Sequence, residues 1–168
     1  TPIEILYIGG TLVACDAKTP TVWALDAASG KLLWSHEACP PVTGMVAGDG
    51  GVYFYEGGQD FLAGNHISLN RKAGGPRAIV RLDLATGKPV WRLAEADHPW
   101  AKNGRRLSYH RGFLMCELSR FTNVPTGNAI QCIAADTGKE LWSREFAPHM
   151  NHRSQARALH IGSVLWIS

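Results

Sequence analysis

One stretch of the sequence, "DHPWAKNGRR", gathers side chains that are suited to holding a ligand. Asp97, His98 and Trp100 supply a carboxylate, an imidazole and an aromatic ring, and Arg105 and Arg106 follow with two guanidinium groups. Guanidinium groups form paired hydrogen bonds with anions, and they stack on planar rings. We therefore treat these five residues as a candidate site for an anion or a planar ring. Ordinary loop polarity with local hydrogen bonds is the competing interpretation.

A second polar stretch, "HMNHR", contains His149, His152 and Arg153. Histidine can ligate a metal or move a proton near neutral pH. Two histidines without a positioned carboxylate predict a metal site poorly. These three residues are therefore a weak ligand-binding candidate, and ordinary loop polarity is the favoured interpretation here as for the first stretch. The sequence assigns no metal site and no catalytic residue.

The charge is distributed unevenly along the 168 residues. The net charge is +3, and it divides into −2 for residues 1–84 (6 basic, 8 acidic) and +5 for residues 85–168 (11 basic, 6 acidic). A basic excess can attract a small anionic ligand, but a solvated loop is the favoured interpretation of this pattern. No nucleic-acid-binding motif is present. No apolar stretch has the length of about 18 residues that a transmembrane helix needs.

A repeated phrase indicates how these stretches are positioned. "VWALDAASGKLLW" at 22–34 returns as "IVRLDLATGKPVW" at 79–91 and as "IQCIAADTGKELW" at 130–142. Alternating residues lead into a turn of Ser or Thr, Gly and Lys, and a second short run ends in Trp. Because glycine adopts positive φ without strain, each phrase predicts a β-hairpin. In the third copy Ala134 replaces the aspartate of the other two, and we expect Asp136 to cap that turn.

A second hairpin is predicted before each phrase, at residues 3–15, 44–56 and 106–118, and a fourth at 155–168. Two hairpins make a unit of four antiparallel strands, and the Trp-to-Trp spacing of 57 and then 51 residues is typical of a β-propeller. The fold prediction is all-β: a partial propeller with blades at about 3–35, 44–92 and 106–143 and a half blade at 155–168. Propellers close with about four to eight blades, so we expect this chain to be part of a larger ring.

The phrases resemble the tryptophan-docking motif of the PQQ-like β-propellers. The resemblance rests on the Asp, Ser/Thr-Gly-Lys and Trp residues at fixed spacing, most fully in the first two copies. It implies that Trp34, Trp91 and Trp142 lie mostly buried at equivalent positions. The turns at Gly30, Gly87 and Gly138 are part of the same structural motif. It also implies a periplasmic or cell-surface location, and ring closure by remaining blades or by a second chain.

The family that the repeated phrases resemble contains both binding proteins and enzymes. One kind is the lipoprotein of the outer-membrane protein assembly machinery, which is not catalytic; the other is the quinoprotein dehydrogenases, which hold PQQ and calcium. Those dehydrogenases use two adjacent cysteines and a Glu, Asn and Asp set, and this sequence has no Cys-Cys pair. We expect a binding or assembly scaffold that contacts a protein or a small anionic ligand. A PQQ- and calcium-dependent oxidoreductase is the first alternative, and a hydrolase or lyase on the same scaffold is the second.

The connections between predicted strands fall into two groups. The turns inside each hairpin are short and similar, whereas the connections between hairpins are long and different in every blade. Antiparallel order places the two groups on opposite faces, and binding sites usually lie on variable loops held by a rigid scaffold. We therefore predict the site on the long-loop face, opposite the glycine turns. The Gly-rich segment 57–78 is interpreted as a lid or a plain insertion.

The four cysteines, Cys15, Cys39, Cys116 and Cys132, lack the short spacing of a zinc site. Cys116 and Cys132 fall on consecutive predicted strands, so the spacing allows a disulfide between them. Buried free thiols are the more frequent arrangement for such residues. Both interpretations stay open at this point.

Overall fold

The computed structural model describes residues 3–16, 19, 21–38, 42–57, 77–94, 96–97, 104–118, 129–145, 158–161 and 164–167. These residues form fourteen strands: β1 (Ile3–Ile8), β2 (Thr11–Asp16), β3 (Thr21–Asp26), β4 (Leu32–Glu37), β5 (Thr43–Gly48), β6 (Gly51–Glu56), β7 (Ala78–Asp83), β8 (Pro89–Ala94), β9 (Gly104–His110), β10 (Phe113–Leu118), β11 (Ala129–Ala134), β12 (Glu140–Glu145), β13 (Ala158–Ile161) and β14 (Val164–Ile167). In the described ranges there is no helix long and apolar enough to cross a membrane.

The strands form three four-stranded antiparallel sheets and one hairpin. The first sheet has the order β1-β2-β3-β4, the second β5-β6-β7-β8 and the third β9-β10-β11-β12, and β13 pairs with β14. The predicted all-β fold, a partial propeller of four-stranded antiparallel blades, is confirmed. The chain divides into two compact units, residues 1–102 with the first and second sheets and residues 103–168 with the remainder.

The first and second sheets share one apolar core. Val13, Val22 and Ala24 of the first sheet and Phe54 and Val80 of the second belong to a single buried cluster. All six residues of β6 are buried, as expected for an inner strand covered on both faces. The outer strands β4 and β8 are mostly exposed, so the sheets bury their inner strands and leave their outer strands in contact with solvent.

The glycine turns have the same backbone structure in all three sheets. In the first, the N–H of Asp26 donates to the carbonyl of Lys31 and the N–H of Gly30 donates to that of Asp26, both at 2.8 Å. The second and third turns repeat these two bonds at 2.8–2.9 Å, and the three glycines have φ of 69°, 68° and 74°. Positive φ at this position explains why glycine stands there each time.

Aspartate side chains strengthen the first two turns. The Asp26 carboxylate accepts from the N–H and the hydroxyl of Ser29 at 2.8 and 2.6 Å, and Asp83 accepts from Thr86 at 2.8 and 2.7 Å. The hydrogen bond from the hydroxyl lowers the pKa of each carboxyl most, and the bond from the backbone N–H is the second cause. The third turn forms with Ala134 in this place, and the role expected for Asp136 stays a prediction.

The two turns of each sheet lie side by side on one edge. The N–H of the residue after the aspartate position donates to a glycine carbonyl in the preceding hairpin turn, from Ala27 to Gly10, Leu84 to Gly50 and Ala135 to Gly112, each at 2.8 Å. The short turns therefore share an edge in every sheet, as the antiparallel order predicted. The expected placement of His98 and His149 opposite them lies outside the described residues.

The three repeated tryptophans occupy equivalent register positions but differ in burial. Trp34 is 8% exposed, and its indole Nε1 donates to the Leu84 carbonyl of the second sheet at 2.8 Å. Trp91 is half-buried, 6.0 Å from the ring of Tyr53, and Trp142 is 41% exposed. The prediction that all three are mostly buried is therefore wrong for Trp142. The turn that receives Trp34 belongs to the following sheet, and the Ser/Thr-Gly-Lys motif of these turns occurs three times in the sequence.

Three described cysteines are buried and form no disulfide: Cys15, Cys116 and Cys132. Cys132 pairs with Met115 across the strands and Cys116 pairs with Gln131. Paired residues project to the same face, so the two thiols project to opposite faces of the third sheet and do not form a disulfide. Burial raises the pKa of the Cys132 thiol, which makes it less reactive. Cys39 lies outside the described residues.

Candidate functional site

The structure describes two side chains of the predicted ligand-binding set. Asp97 is exposed just beyond β8, and its N–H donates to the Ala94 carbonyl at 3.0 Å. Arg106 is exposed on β9 of the second unit, in register with Glu117 of β10. The remaining predicted positions, His98, Trp100, His149, His152 and Arg153, lie outside the described residues. The two predicted clusters therefore stay predictions.

One boundary of the predicted long loops needs correction. The sequence placed Arg105 at the end of a loop, whereas β9 begins at Gly104, so Arg105 and Arg106 both belong to a strand. The reason is the antiparallel partner: β10 extends to Leu118, which pairs with Gly104 across a β-bulge. The backbone at Arg106 is consequently fixed by the sheet and does not move as a loop would.

A charged cluster that the sequence did not reveal lies between the first and second sheets, and we call His36, Glu56 and Arg92 the interface cluster. The Nε of Arg92 lies 2.7 Å from Oε1 of Glu56, and Glu56 is buried. A buried carboxylate needs a partner, because the loss of hydration is otherwise uncompensated. Glu56 ends β6 at the start of a long connection, so the cluster lies on the edge opposite the glycine turns.

His36 belongs to this cluster through its electrostatics. It lies two residues after Trp34 on β4 and therefore projects from the same face of the first sheet, toward the second. Burial lowers the pKa of His36 more than the nearby carboxylates of Glu56 and Glu37 raise it. Burial therefore favours the neutral imidazole, which can donate or accept a hydrogen bond.

Glu4 forms a second polar link between the same two sheets. Its carboxylate accepts from the backbone N–H of Gly44 at 3.1 Å and of Met45 at 2.8 Å. These N–H groups lie in a β-bulge of β5, between Thr43 and Val46, where Gly44 has a φ of 67°. A bulge leaves ladder groups unpaired, so the carboxylate of one sheet satisfies the irregular backbone of the next.

The opposite face of the second sheet carries cations over aromatic rings. The guanidinium of Arg77 lies 5.1 Å from the centre of the Tyr55 ring, and that of Arg81 lies 5.9 Å from the Tyr53 ring. Both distances fall within the range of about 6 Å for cation–π attraction. Arg77 is buried although it directly follows the long connection of this sheet. These arginines therefore have aromatic partners within the fold.

The described residues do not form a calcium site. Calcium needs about six to eight oxygen ligands, and no group of three or more His, Cys, Asp or Glu side chains comes together in the part of the chain that the structure describes. The Glu4 carboxylate is occupied by backbone N–H groups, and the Glu56 carboxylate by Arg92. No catalytic step is therefore derived for these residues.

Two signals in the sequence point to the interface cluster. His36 follows Trp34 by two residues, which places both on one face of a strand. Glu56 is a single acidic residue that ends the apolar run "VYFY" beside a long connection. A charge in such a position suggests a specific partner, but Arg92 is 36 residues away in the sequence and only the strand register brings it near.

Comparison with known proteins identifies the family. Residues 18–165 match the family profile described as outer membrane protein assembly factor BamB. This match covers β3 and β4 of the first sheet, the second and third sheets, and part of the following hairpin. The chain therefore belongs to this family of PQQ-like β-propeller repeats. A comparison with curated protein sequences gave no match.

Solved structures share the fold at low sequence identity. A europium-containing methanol dehydrogenase is 17% identical with a TM-score of 0.58, covering 86% of this chain and 32% of the other. The quinohemoprotein alcohol dehydrogenase ADHIIG from Pseudomonas putida HK5 is 14% identical (TM-score 0.56; 97% of this chain, 30% of the other). The computationally designed Ika4 protein is 16% identical (TM-score 0.57; 97% and 81%). The chain thus spans about a third of either dehydrogenase, and these matches establish the fold alone.

Proposed function

We propose that this chain is a noncatalytic propeller scaffold that binds a protein partner on the edge of the long connections. The observation that carries the proposal is the contrast between the two edges of each sheet. On one edge the glycine turns repeat the same hydrogen bonds in all three sheets. The other edge carries the connections that differ in every blade, and variable loops on a rigid scaffold are the usual place for recognition.

The polar groups described near that edge support a scaffold. Glu56 and Arg92 bond to each other within the second sheet, Glu4 bonds from the first sheet to the backbone of β5, and burial lowers the pKa of His36. The two carboxylates are thus engaged by partners within the fold. The family profile, described as an assembly factor, agrees with this function, and it favours a periplasmic or outer-membrane location.

Within this proposal Asp97 begins the contact surface. It is exposed at the end of β8, and His98, Trp100, Arg105 and Arg106 follow it in the sequence. A tryptophan and arginines are the side chains that most often contribute strongly to protein interfaces. The partner would therefore present carboxylates together with an apolar surface. His149, His152 and Arg153 extend the same proposal to a later connection.

Site-specific photo-cross-linking tests the partner. A photoreactive amino acid replaces Asp97 in the full protein produced in cells, and the matched control replaces Lys88, which is equally exposed on the turn edge. We expect one defined cross-linked protein from position 97 and none from position 88. Equal cross-linking from both positions, or none from position 97, would contradict the proposed edge.

A titration with PQQ and calcium tests the alternative, an oxidoreductase. The full protein is titrated with PQQ, with and without Ca²⁺, while tryptophan fluorescence is followed. A scaffold shows no saturable quenching that depends on calcium. Saturable, calcium-dependent quenching at low PQQ concentration would replace the scaffold by a quinoprotein dehydrogenase, and alcohols and aldehydes would then be screened as substrates.

A further inference from the structure

The ion pair of the interface cluster faces the first sheet. Side chains alternate along a strand, and Phe54, two residues before Glu56 on β6, belongs to the core that the first and second sheets share. Arg92 pairs with Val80 of β7, which belongs to the same core. The register therefore directs both charged groups into the contact between the two sheets, where the Nε of Arg92 lies 2.7 Å from Oε1 of Glu56.

His36 faces this ion pair from the first sheet. It shares one face of β4 with Trp34, whose indole Nε1 donates to the Leu84 carbonyl of the second sheet. Glu37, the other carboxylate that acts on the imidazole, projects from the opposite face of β4 and is exposed. The buried anion that His36 faces is therefore Glu56.

The other described groups of this contact are apolar or already engaged. The side chains of β7 that face the first sheet are Ala78, Val80 and Leu82, all in the shared core. Glu4 also crosses from the first sheet, but its carboxylate accepts from backbone N–H groups of β5. Within the described part of the contact, the carboxylate of Glu56 thus serves two side chains that can carry positive charge.

The two basic side chains differ in how easily they reach water. The side chain of Arg92 is 44% exposed, whereas that of Glu56 is 8% exposed. His36 is partly buried, and its backbone is held in register with Val22 of β3. A long arginine side chain can turn its guanidinium to solvent by rotation about its own bonds. If His36 becomes a cation, two positive charges meet one buried carboxylate, and burial penalises the charge in excess. Arg92 is the group that leaves at the lower cost.

We propose that acid exchanges the partner of Glu56: His36, once protonated, takes the carboxylate, and the guanidinium of Arg92 turns out to the edge of the long connections. The proton comes from solvent and stays on the imidazole, so Glu56 remains ionised throughout. The strands β4, β6 and β8 each end within two residues of the interface cluster and lead into long connections. The exchange therefore presents a guanidinium on the surface proposed for the protein partner, where it can bind a carboxylate. Only this consequence rests on the proposed function.

Nuclear magnetic resonance of the full protein, without any partner, measures the exchange. The ring resonances of His36 report its protonation, and the Nε–H of Arg92 reports the hydrogen bond that it donates to Glu56. Burial lowers the pKa of His36, so we expect its transition below about pH 6.5. The protection of the Arg92 Nε–H against hydrogen exchange, relative to a free arginine at the same pH, should fall about tenfold with the same midpoint.

Substitutions decide whether His36 causes the change at Arg92. His36→Gln should keep the Arg92 Nε–H protected throughout this pH range, and Glu56→Gln should leave it with reduced protection at every pH. His110→Gln is the matched control, because it removes a partly buried histidine on β9 of the other compact unit. The control should behave as the wild-type chain does, and circular dichroism checks that each variant is folded.

Three results would overturn the exchange. Protection of Arg92 that persists while His36 titrates would mean that both cations share Glu56. A loss of protection that also occurs in His36→Gln would have another cause. Unfolding of the wild-type chain before His36 is protonated would leave no folded state in which the exchange takes place. Cross-linking from position 97 at neutral pH does not involve protonated His36, so failure of the exchange and failure of the scaffold proposal are distinguishable.

Discussion

Substitutions at Gly30 and Gly87 can separate the energetic contribution of the Trp34 contact from that of the turn's backbone conformation. The two glycines have φ of 69° and 68°, and their turns contain the same backbone hydrogen bonds. They differ in their surroundings, because the Trp34 ring lies against Gly87, whereas no atom of the described residues lies within 4 Å of a Cβ position at Gly30. Replacing each glycine by alanine therefore adds the same backbone strain, and adds a steric conflict at Gly87 alone.

The expected losses follow from this difference. An alanine in the left-handed region costs about 1–2 kcal/mol, which is the whole effect expected for Gly30→Ala. At position 87 the new Cβ would stand 2.6 Å from the indole ring, whereas carbon atoms pack at about 3.5–4.0 Å. The ring must shift by about 1 Å and lose part of the ~3–5 kcal/mol that its burial contributes. We expect Gly87→Ala to lower the free energy of unfolding by about 2–5 kcal/mol.

Urea unfolding followed by far-ultraviolet circular dichroism measures these losses, at concentrations where the chain is monomeric. A double-mutant cycle with Trp34→Ala isolates the contact. Without the indole, Gly87→Ala should cost the same about 1–2 kcal/mol as Gly30→Ala, which leaves a coupling energy of about 1–3 kcal/mol. Equal losses at both glycines in the wild-type background would refute the reasoning, because they would show that the Trp34 contact contributes nothing at Gly87.

Three further predictions concern charged groups. Because the pKa of His36 is lowered in the folded state, the unfolded chain binds more protons near the ordinary pKa of about 6.5. The free energy of unfolding should therefore fall as the pH drops below that value, and it should fall less in His36→Gln. Urea midpoints at a series of pH values will measure this difference. The hydrogen bond from the Thr86 hydroxyl is the largest cause of the lowered pKa of Asp83. The stability that the Asp83 carboxylate contributes is present above the ordinary pKa of about 3.9 and is lost as the pH falls through the folded pKa. Asp83→Asn should therefore reduce the loss of stability in acid, and an unchanged loss would exclude Asp83 as its origin. Arg92→Ala removes the arginine that bonds to the buried Glu56 carboxylate, and it should lower the free energy of unfolding by about 1–3 kcal/mol, a value reduced because Arg92 is partly exposed. Adding Glu56→Gln should recover part of this loss in urea unfolding. No recovery would mean that the broken ion pair does not cause the loss.

The fold followed from the sequence because its signals are local. The turns at Gly30, Gly87 and Gly138 each lie between alternating runs, and a turn with short strands on either side is determined by residues within about a dozen positions. Strand ends were less predictable, as at Gly104, where pairing with Leu118 extends β9 into the predicted loop. That extension depends on a partner strand and has no signature of its own.

The candidate site was less predictable because its contacts are not local. Glu56 and Arg92 belong to strands separated by β7 in the sheet order, and His36 approaches them from a different sheet. The ligand-binding candidates were instead chosen by residue type within single loops, such as Asp97 beside His98. Residue type indicates which chemistry is available, whereas the register decides which side chains meet.

The third turn separates the two roles of the repeated aspartate. Its two backbone hydrogen bonds, at 2.8 Å, match those of the first two turns although Ala134 provides no carboxylate. The turn conformation, with Gly138 at a φ of 74°, therefore does not require a carboxylate at position 134. In the other two turns Asp26 and Asp83 add stability that depends on ionisation, because their hydrogen bonds favour the charged form. Acid should thus weaken the first and second turns through these two carboxylates.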